Sequence, residues 1–170
     1  MADRNDEVTL LDGAAFVIGA AVASAHMRGA FPGGLTGVGW AFVWAVFGGV
    51  SLTAAGPFVY GVRRYWRRPQ GYPRVGDRLW AVLGLPWVAT SPMQTAAAGR
   101  SGDFPAVALV LGLAASCLIA LVVVWKTWVM APPSGRPSPD EGPSPWTNRV
   151  GLTLAIASPL QWGFGLAVLS

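Results

Sequence analysis

Charged residues are scarce in this chain. Asp, Glu, Lys and Arg together make up 12% of its 170 residues, whereas a soluble domain carries about 25%. Hydrophobic residues make up 53%, and the mean hydropathy is +0.47. A surface so poor in charge is unsuited to water. The composition therefore predicts an integral membrane protein whose outer surface faces the lipid bilayer.

Cysteine and histidine are almost missing, with one residue of each, Cys117 and His26. A lone cysteine cannot form an intramolecular disulfide, and neither residue has the spacing of a metal site. The apolar segments also lack a pair of carboxylates, a nucleotide-binding loop and a nucleophile–base arrangement. We therefore predict no enzymatic activity, no metal site and no cofactor.

Long apolar runs are what the chain does contain. A membrane-spanning helix needs about 20 mostly apolar residues, and four segments meet this requirement. A fifth, residues 10–27, is weaker because Asp12 and His26 bracket it, and a buried or interfacial helix is the alternative there. The chain is thus predicted to be an all-α, single membrane domain over 1–170 with about five transmembrane helices, at residues 10–27, 38–62, 79–99, 104–130 and 150–170.

The basic residues predict how such a bundle is oriented. If all five segments cross, the N-terminus and the loops 63–78 and 131–149 share one side. That side holds ten of the twelve Lys and Arg residues, and the other side holds only Arg28 and Arg100. By the positive-inside rule, the N-terminus is then cytoplasmic and the C-terminus outside. We expect this membrane to be a bacterial inner membrane.

Half of the basic residues fall in one stretch, "GVRRYWRRPQGYPRVGDR", residues 61–78. Tyr65, Trp66 and Tyr72 interleave with its arginines, a mixture typical of the headgroup zone of a membrane. We interpret the stretch as an interfacial anchor attracted to anionic lipid headgroups, and not as a nucleic-acid site. The anchor arginines are Arg63, Arg64, Arg67, Arg68, Arg74 and Arg78.

Two apolar segments resemble each other. "GLPWVATSPMQ" at 84–94 and "GLTLAIASPLQ" at 151–161 share five identities at an offset of 67 residues. Upstream, "VRRYW" at 62–66 and "VWKTW" at 124–128 match at an offset of 62. A duplication would give one helix followed by two parallel-repeat helical hairpins, although coincidence or convergent packing would also explain the matches.

The repeated Ser-Pro-x-Gln pattern predicts a polar site within the membrane. Pro92 and Pro159 cannot donate N–H groups, so the carbonyls of Val88 and Ala155 lose their helical partners. In hydrocarbon these groups need other partners, and interrupted helices at matching positions often mark a binding site. We expect either an interhelical clamp or a small polar pocket, formed by Ser91, Gln94, Ser158 and Gln161.

Three functions fit these features. The leading hypothesis is a non-catalytic, multi-pass subunit that packs against other membrane subunits and stabilises a larger complex, bioenergetic or photosynthetic. A small oligomeric transporter or channel built around the Ser-Pro-x-Gln helices is the first alternative. The second is a haem- or chlorophyll-binding protein that uses His26 as ligand, with Ala15, Gly19 and Ala23 admitting a flat ring or another helix.

Tryptophan is frequent, with nine residues in the chain. Trp66, Trp80 and Trp146 lie near the ends of predicted segments, as in the aromatic belt of a membrane protein. Trp44 and Trp87 lie deeper and are expected to pack between helices.

Overall fold

The part of the chain that the structure describes forms five α-helices. The computed structural model describes residues 8–28, 37–67, 74–96, 104–130 and 146–169. The helices are α1 Leu10–Met27, α2 Gly37–Gly61, α3 Val75–Ala96, α4 Phe104–Val124 and α5 Trp146–Leu169. Helices α2 and α4 each continue into a π-helical turn, the first over Val62–Arg67 and the second over Trp125–Val129. The predicted all-α fold class is confirmed.

Within the described ranges, three segments are long and apolar enough to cross a membrane. They are Leu10–Met27, Gly39–Trp66 and Val107–Thr127. The first is the segment that sequence left open between crossing and interfacial, and by length and composition it is able to cross. These three helices support the prediction of an integral membrane protein.

Helices α3 and α5 each begin four residues before their apolar runs, at Val75 and Trp146. Helical structure therefore extends into the predicted loops 63–78 and 131–149 at these ends, and the first π-helical turn extends into the former from its other end. The reason is that the polar first turns of α3 and α5 hydrogen-bond to each other. The Gly76 N–H donates to Asn148 Oδ1 at 2.8 Å. A hydropathy window does not detect a helical turn stabilised by such a contact.

Helix α3 is the central element, because it packs against α1, α2, α4 and α5. The buried core lies between the first three helices and the start of α5. Its members are small or branched apolar residues around one tryptophan, namely Ala15, Ala55, Val59, Trp80, Leu83 and Leu154.

Glycines allow the close helix crossings. Gly19 of α1 lies against the backbone of Ser51 and Ala55 in α2, and Gly84 of α3 lies against the Thr53 carbonyl and the Pro57 ring of α2. Pro57 has no N–H, so the Thr53 carbonyl has lost its helical partner and faces Gly84 instead. Small residues at these positions let backbones approach, as is common in membrane helix pairs.

Two tryptophans occupy the opposite environments to those predicted. Trp80 is 1% exposed, and its Nε1–H donates to the Leu52 carbonyl at 2.8 Å. Trp44 is 64% exposed. Both predictions were wrong because position along a segment indicates depth in a membrane, whereas the rotation of the helix about its axis decides which neighbour a side chain meets.

The starts of α1, α3 and α5 gather with the end of α2 at one end of the bundle, which we call the ion-pair end. Asp12 of α1 contacts Arg63, which follows α2, and Gly76 of α3 contacts Asn148 of α5. This grouping is the one that alternating membrane crossings require. Which side of the membrane the ion-pair end faces stays a prediction.

Candidate functional site

A buried ion pair between Asp12 and Arg63 is the main feature of the ion-pair end. The Arg63 Nη2 lies 3.1 Å from Asp12 Oδ2, and the Nε lies 3.4 Å from Oδ1. The side chains are 0% and 2% exposed. Two parallel N–H···O contacts are the strongest arrangement of this pair. Since both groups have left water, each depends on the other to offset its desolvation.

The local sequence of α1 orients the Asp12 carboxylate. Thr9 precedes the helix and forms a capping box with Asp12. The Thr9 N–H and hydroxyl donate to Asp12 Oδ2 at 3.0 and 2.9 Å, and the Asp12 N–H donates to Thr9 Oγ1 at 3.4 Å. These bonds satisfy backbone groups that a helix start leaves open. They also hold the carboxylate on the side of α1 that faces Arg63.

The first π-helical turn orients Arg63 inward, and its neighbours Arg64, Tyr65 and Trp66 are exposed. The prediction that Arg63 is an interfacial anchor was therefore wrong, because this arginine is buried against a carboxylate. Of the other predicted anchors, Arg64 and Arg78 are exposed and Arg74 is half-buried. The side chain of Arg67 and all of Arg68 lie outside the described residues.

An aromatic cluster supports the guanidinium. The Cζ of Arg63 lies 5.1 Å from the ring centroid of Trp146, within the range of a cation–π contact. Trp146 packs against Trp80 and Phe16 with centroid separations of 5.9 and 6.2 Å. The ion pair therefore rests on rings from α1, α3 and α5, and α2 supplies the arginine through its π-helical turn.

Three buried polar atoms at the ion-pair end have no hydrogen-bond partner within the described residues. They are Asp77 Oδ1, Trp146 Nε1 and Thr147 Oγ1. The other carboxylate oxygen of Asp77 accepts the Arg74 N–H at 2.9 Å and caps α3. An ionised carboxylate accepts, an indole N–H donates and a hydroxyl does both. The Thr147 side chain lies close enough to the Asp77 carboxyl group to interact with it, so the polar starts of α3 and α5 meet at this point.

His26 fastens the opposite end of α1. Its Nδ1 lies 3.0 Å from the Val22 carbonyl oxygen, and its Nε2 lies 3.0 Å from Thr90 Oγ1 on α3. The imidazole also meets Trp87 edge to face at 5.2 Å. A haem or chlorophyll ligand needs one free ring nitrogen. In this structure both nitrogens lie at hydrogen-bond distance from protein oxygens, so His26 links two helices.

The Ser-Pro-x-Gln site is described in part. Ser91 Oγ donates at 3.0 Å to the Val88 carbonyl, which Pro92 deprives of its helical partner. Ser91 and Gln94 are half-buried, whereas the side chains of Ser158 and Gln161 lie outside the described residues. The predicted approach of Gln94 to Gln161 therefore stays a prediction, and so does the duplication built on it.

Sequence reasoning missed the Asp12–Arg63 pair, although two signals pointed to it. A lone carboxylate in an apolar helix needs a partner in the protein. The topology prediction also placed the start of α1 and the end of α2 on the same side. The sequence could not predict whether Arg63 or Arg64 faces inward.

We predict that Thr90→Val destabilises the protein, because it leaves His26 Nε2 without its partner. The expected loss is about 1–2 kcal/mol in the free energy of unfolding. Thr95→Val is the matched control, since the exposed Thr95 hydroxyl donates only to the Ser91 carbonyl of its own helix and should change stability by under about 0.5 kcal/mol. Denaturant unfolding in mixed micelles measures both. Equal losses would contradict an interhelical role of His26.

The geometry at both ends of α1 thus fastens helices together through polar side chains. Among the described residues, no group of three His, Cys, Asp or Glu side chains is placed to hold a metal ion. No family model, curated protein or solved structure matches the chain.

Proposed function

We propose that the chain is a non-catalytic, multi-pass membrane subunit that packs against and stabilises a larger membrane complex. The supporting observation is that two ionisable side chains in the interior, Asp12 and His26, contact other protein groups. Asp12 is paired with Arg63, and both nitrogens of His26 face protein oxygens. Asp12 and His26, two side chains able to perform acid–base chemistry, are thereby committed to joining helices. This commitment favours a structural role over catalysis.

The surface of α4 supports the second half of the proposal. One face packs on α3, where Leu113 and Ser116 are buried. The opposite face exposes Leu111, Ala114 and Leu118, which are three and four residues apart and so lie on one side of the helix. A small residue between two leucines forms a shallow recess, and such recesses allow a second transmembrane helix to approach closely.

Cys117 provides a direct test, because it is the only cysteine in the chain and is exposed on α4. A photoreactive maleimide attached to Cys117 in native membranes should cross-link one distinct membrane protein, which also copurifies in mild detergent. The matched control is Cys117→Ser with Ser116→Cys. Ser116 is 3% exposed, so the moved thiol should give no intermolecular product.

Specificity of the α4 face is tested by blocking its recess. Ala114→Trp should abolish copurification of the cross-linked partner. Ile156→Trp, on the exposed surface of α5, should leave copurification intact. Cross-links to a second copy of this chain alone would overturn the accessory role and favour the oligomeric transporter. Adducts with lipid alone would contradict any helix partner on this face.

A further inference from the structure

The two π-helical turns share more than their rare geometry. They continue α2 and α4 without a break, and they overlap the two stretches that match in sequence, "VRRYW" and "VWKTW". Each has a basic residue next to aromatic residues. π-Helical turns are rare, and here both end a long apolar helix. Two such turns with one sequence pattern therefore point to a common use.

Both turns present their basic–aromatic residues at the surface. In the first turn Arg64 is exposed, and Tyr65 and Trp66 are 70% and 74% exposed. In the second, Trp125 is 55% exposed and Lys126 is exposed. Asp12 pairs with the buried Arg63. Within the described residues, the exposed Arg64 and Lys126 have no carboxylate partner.

The two turns lie at the same end of the bundle. Gly112 of α4 faces Pro86 of α3. Gly112 is eight residues after the start of α4, and Pro86 is ten residues before the end of α3. Since only residues 97–103 join the two helices, α4 runs antiparallel to α3 and ends near the start of α3. The second π-helical turn is thus at the ion-pair end, as the first is.

We propose that each π-helical turn binds the phosphate group of an anionic phospholipid. Arg64 and Lys126 would contact the phosphate, while the neighbouring indole and phenol rings lie at the level of the lipid glycerol, where amphipathic rings settle. A basic side chain near a membrane surface attracts anionic lipid. This assignment removes Arg63 from the lipid contacts expected from sequence and adds Lys126. It is independent of the proposed accessory role.

Native mass spectrometry of the full chain, titrated with phosphatidylglycerol or phosphatidylcholine in detergent, tests the assignment. The wild-type chain should bind phosphatidylglycerol in preference to phosphatidylcholine. Arg64→Gln and Lys126→Gln should each weaken phosphatidylglycerol binding about fivefold at one of the two sites, the effect of one charge near a membrane surface, and leave the other site unchanged. In the double variant each site should be about fivefold weaker, so the constant for binding two lipids at once should fall about 25-fold if the sites are independent. Trp66→Ala should weaken the binding of both lipids, because the indole ring contacts the glycerol region that both lipids share and does not distinguish their headgroup charges.

The matched control is Arg28→Gln, which removes one exposed positive charge next to α1 at its His26 end. It should leave lipid binding unchanged. An equal loss in Arg28→Gln, or no preference for the anionic lipid in the wild-type chain, would overturn the proposal. Inorganic phosphate at the concentration of the lipid should not displace it. Displacement by inorganic phosphate would mean that the turns bind free phosphate, which also overturns a lipid site.

Discussion

Arg63→Met is expected to lower the free energy of unfolding by about 3–5 kcal/mol, the usual cost of leaving one member of a buried ion pair without its partner. The Asp12 side chain is 0% exposed, so its carboxyl group would be left in the protein interior with only the Thr9 groups to bind it, and either keeping or losing its charge there costs free energy. The Trp146 ring would also lose its cation–π contact. Denaturant unfolding in mixed micelles measures the loss.

Arg64→Met is the control for this prediction, because it makes the same chemical change at the next residue, where the side chain is exposed. It should alter stability by less than about 0.5 kcal/mol. The double variant Asp12→Asn with Arg63→Met should recover much of the loss, since it removes both charges and retains a polar group beside Thr9. A double variant as unstable as Arg63→Met alone would mean that the charge is not the cause.

Gly151→Ala should have the second large effect. A Cβ at Gly151 would overlap the Gly76 carbonyl on α3, and a Cβ at Gly76 would overlap the Asn148 carbonyl on α5. The obstructing atoms belong to backbone, so no side chain can rotate away and the helices must separate. We expect a loss of about 1–3 kcal/mol from overpacking. That loss exceeds the gain of up to about 1 kcal/mol from the better helix propensity of alanine.

Gly48→Ala in α2 is the matched control, because a Cβ at Gly48 meets nothing within 4 Å. This substitution should leave stability unchanged or raise it by up to about 1 kcal/mol. The two alanine variants should thus differ in sign in the same unfolding assay. If Gly151→Ala were as stable as Gly48→Ala, the close α3–α5 crossing at Gly76 would be contradicted.

The same crossing bears on the sequence repeat. Gly84 and Gly151 begin the two matching stretches, and both are points of close helix approach. Their neighbours differ, because Gly84 lies against α2 and Gly151 lies against α3. A shared need for small residues at helix crossings is therefore enough to explain the matching glycines. The paired π-helical turns remain the more informative similarity between α2 and α4.

The helical class, the five helices and the grouping of α1, α2, α3 and α5 at one end could all be predicted from the sequence. These properties depend on quantities that a sequence contains directly, namely the length of apolar runs, the scarcity of charge and the positions of arginines relative to segment ends. Helix starts at Val75 and Trp146 could not be predicted, because contacts between the two polar first turns stabilise them.

Only the tertiary structure decided which side chains face one another. Arg63 and Arg64 are adjacent and chemically identical, yet one is buried on Asp12 and the other is exposed. Trp80 and Trp44 exchanged their expected environments in the same way. The physical reason is that the neighbours of a side chain depend on the rotation of its helix about the helix axis. The π-helical turn at Val62–Arg67 changes this rotation, and glycines decide where another helix can approach closely.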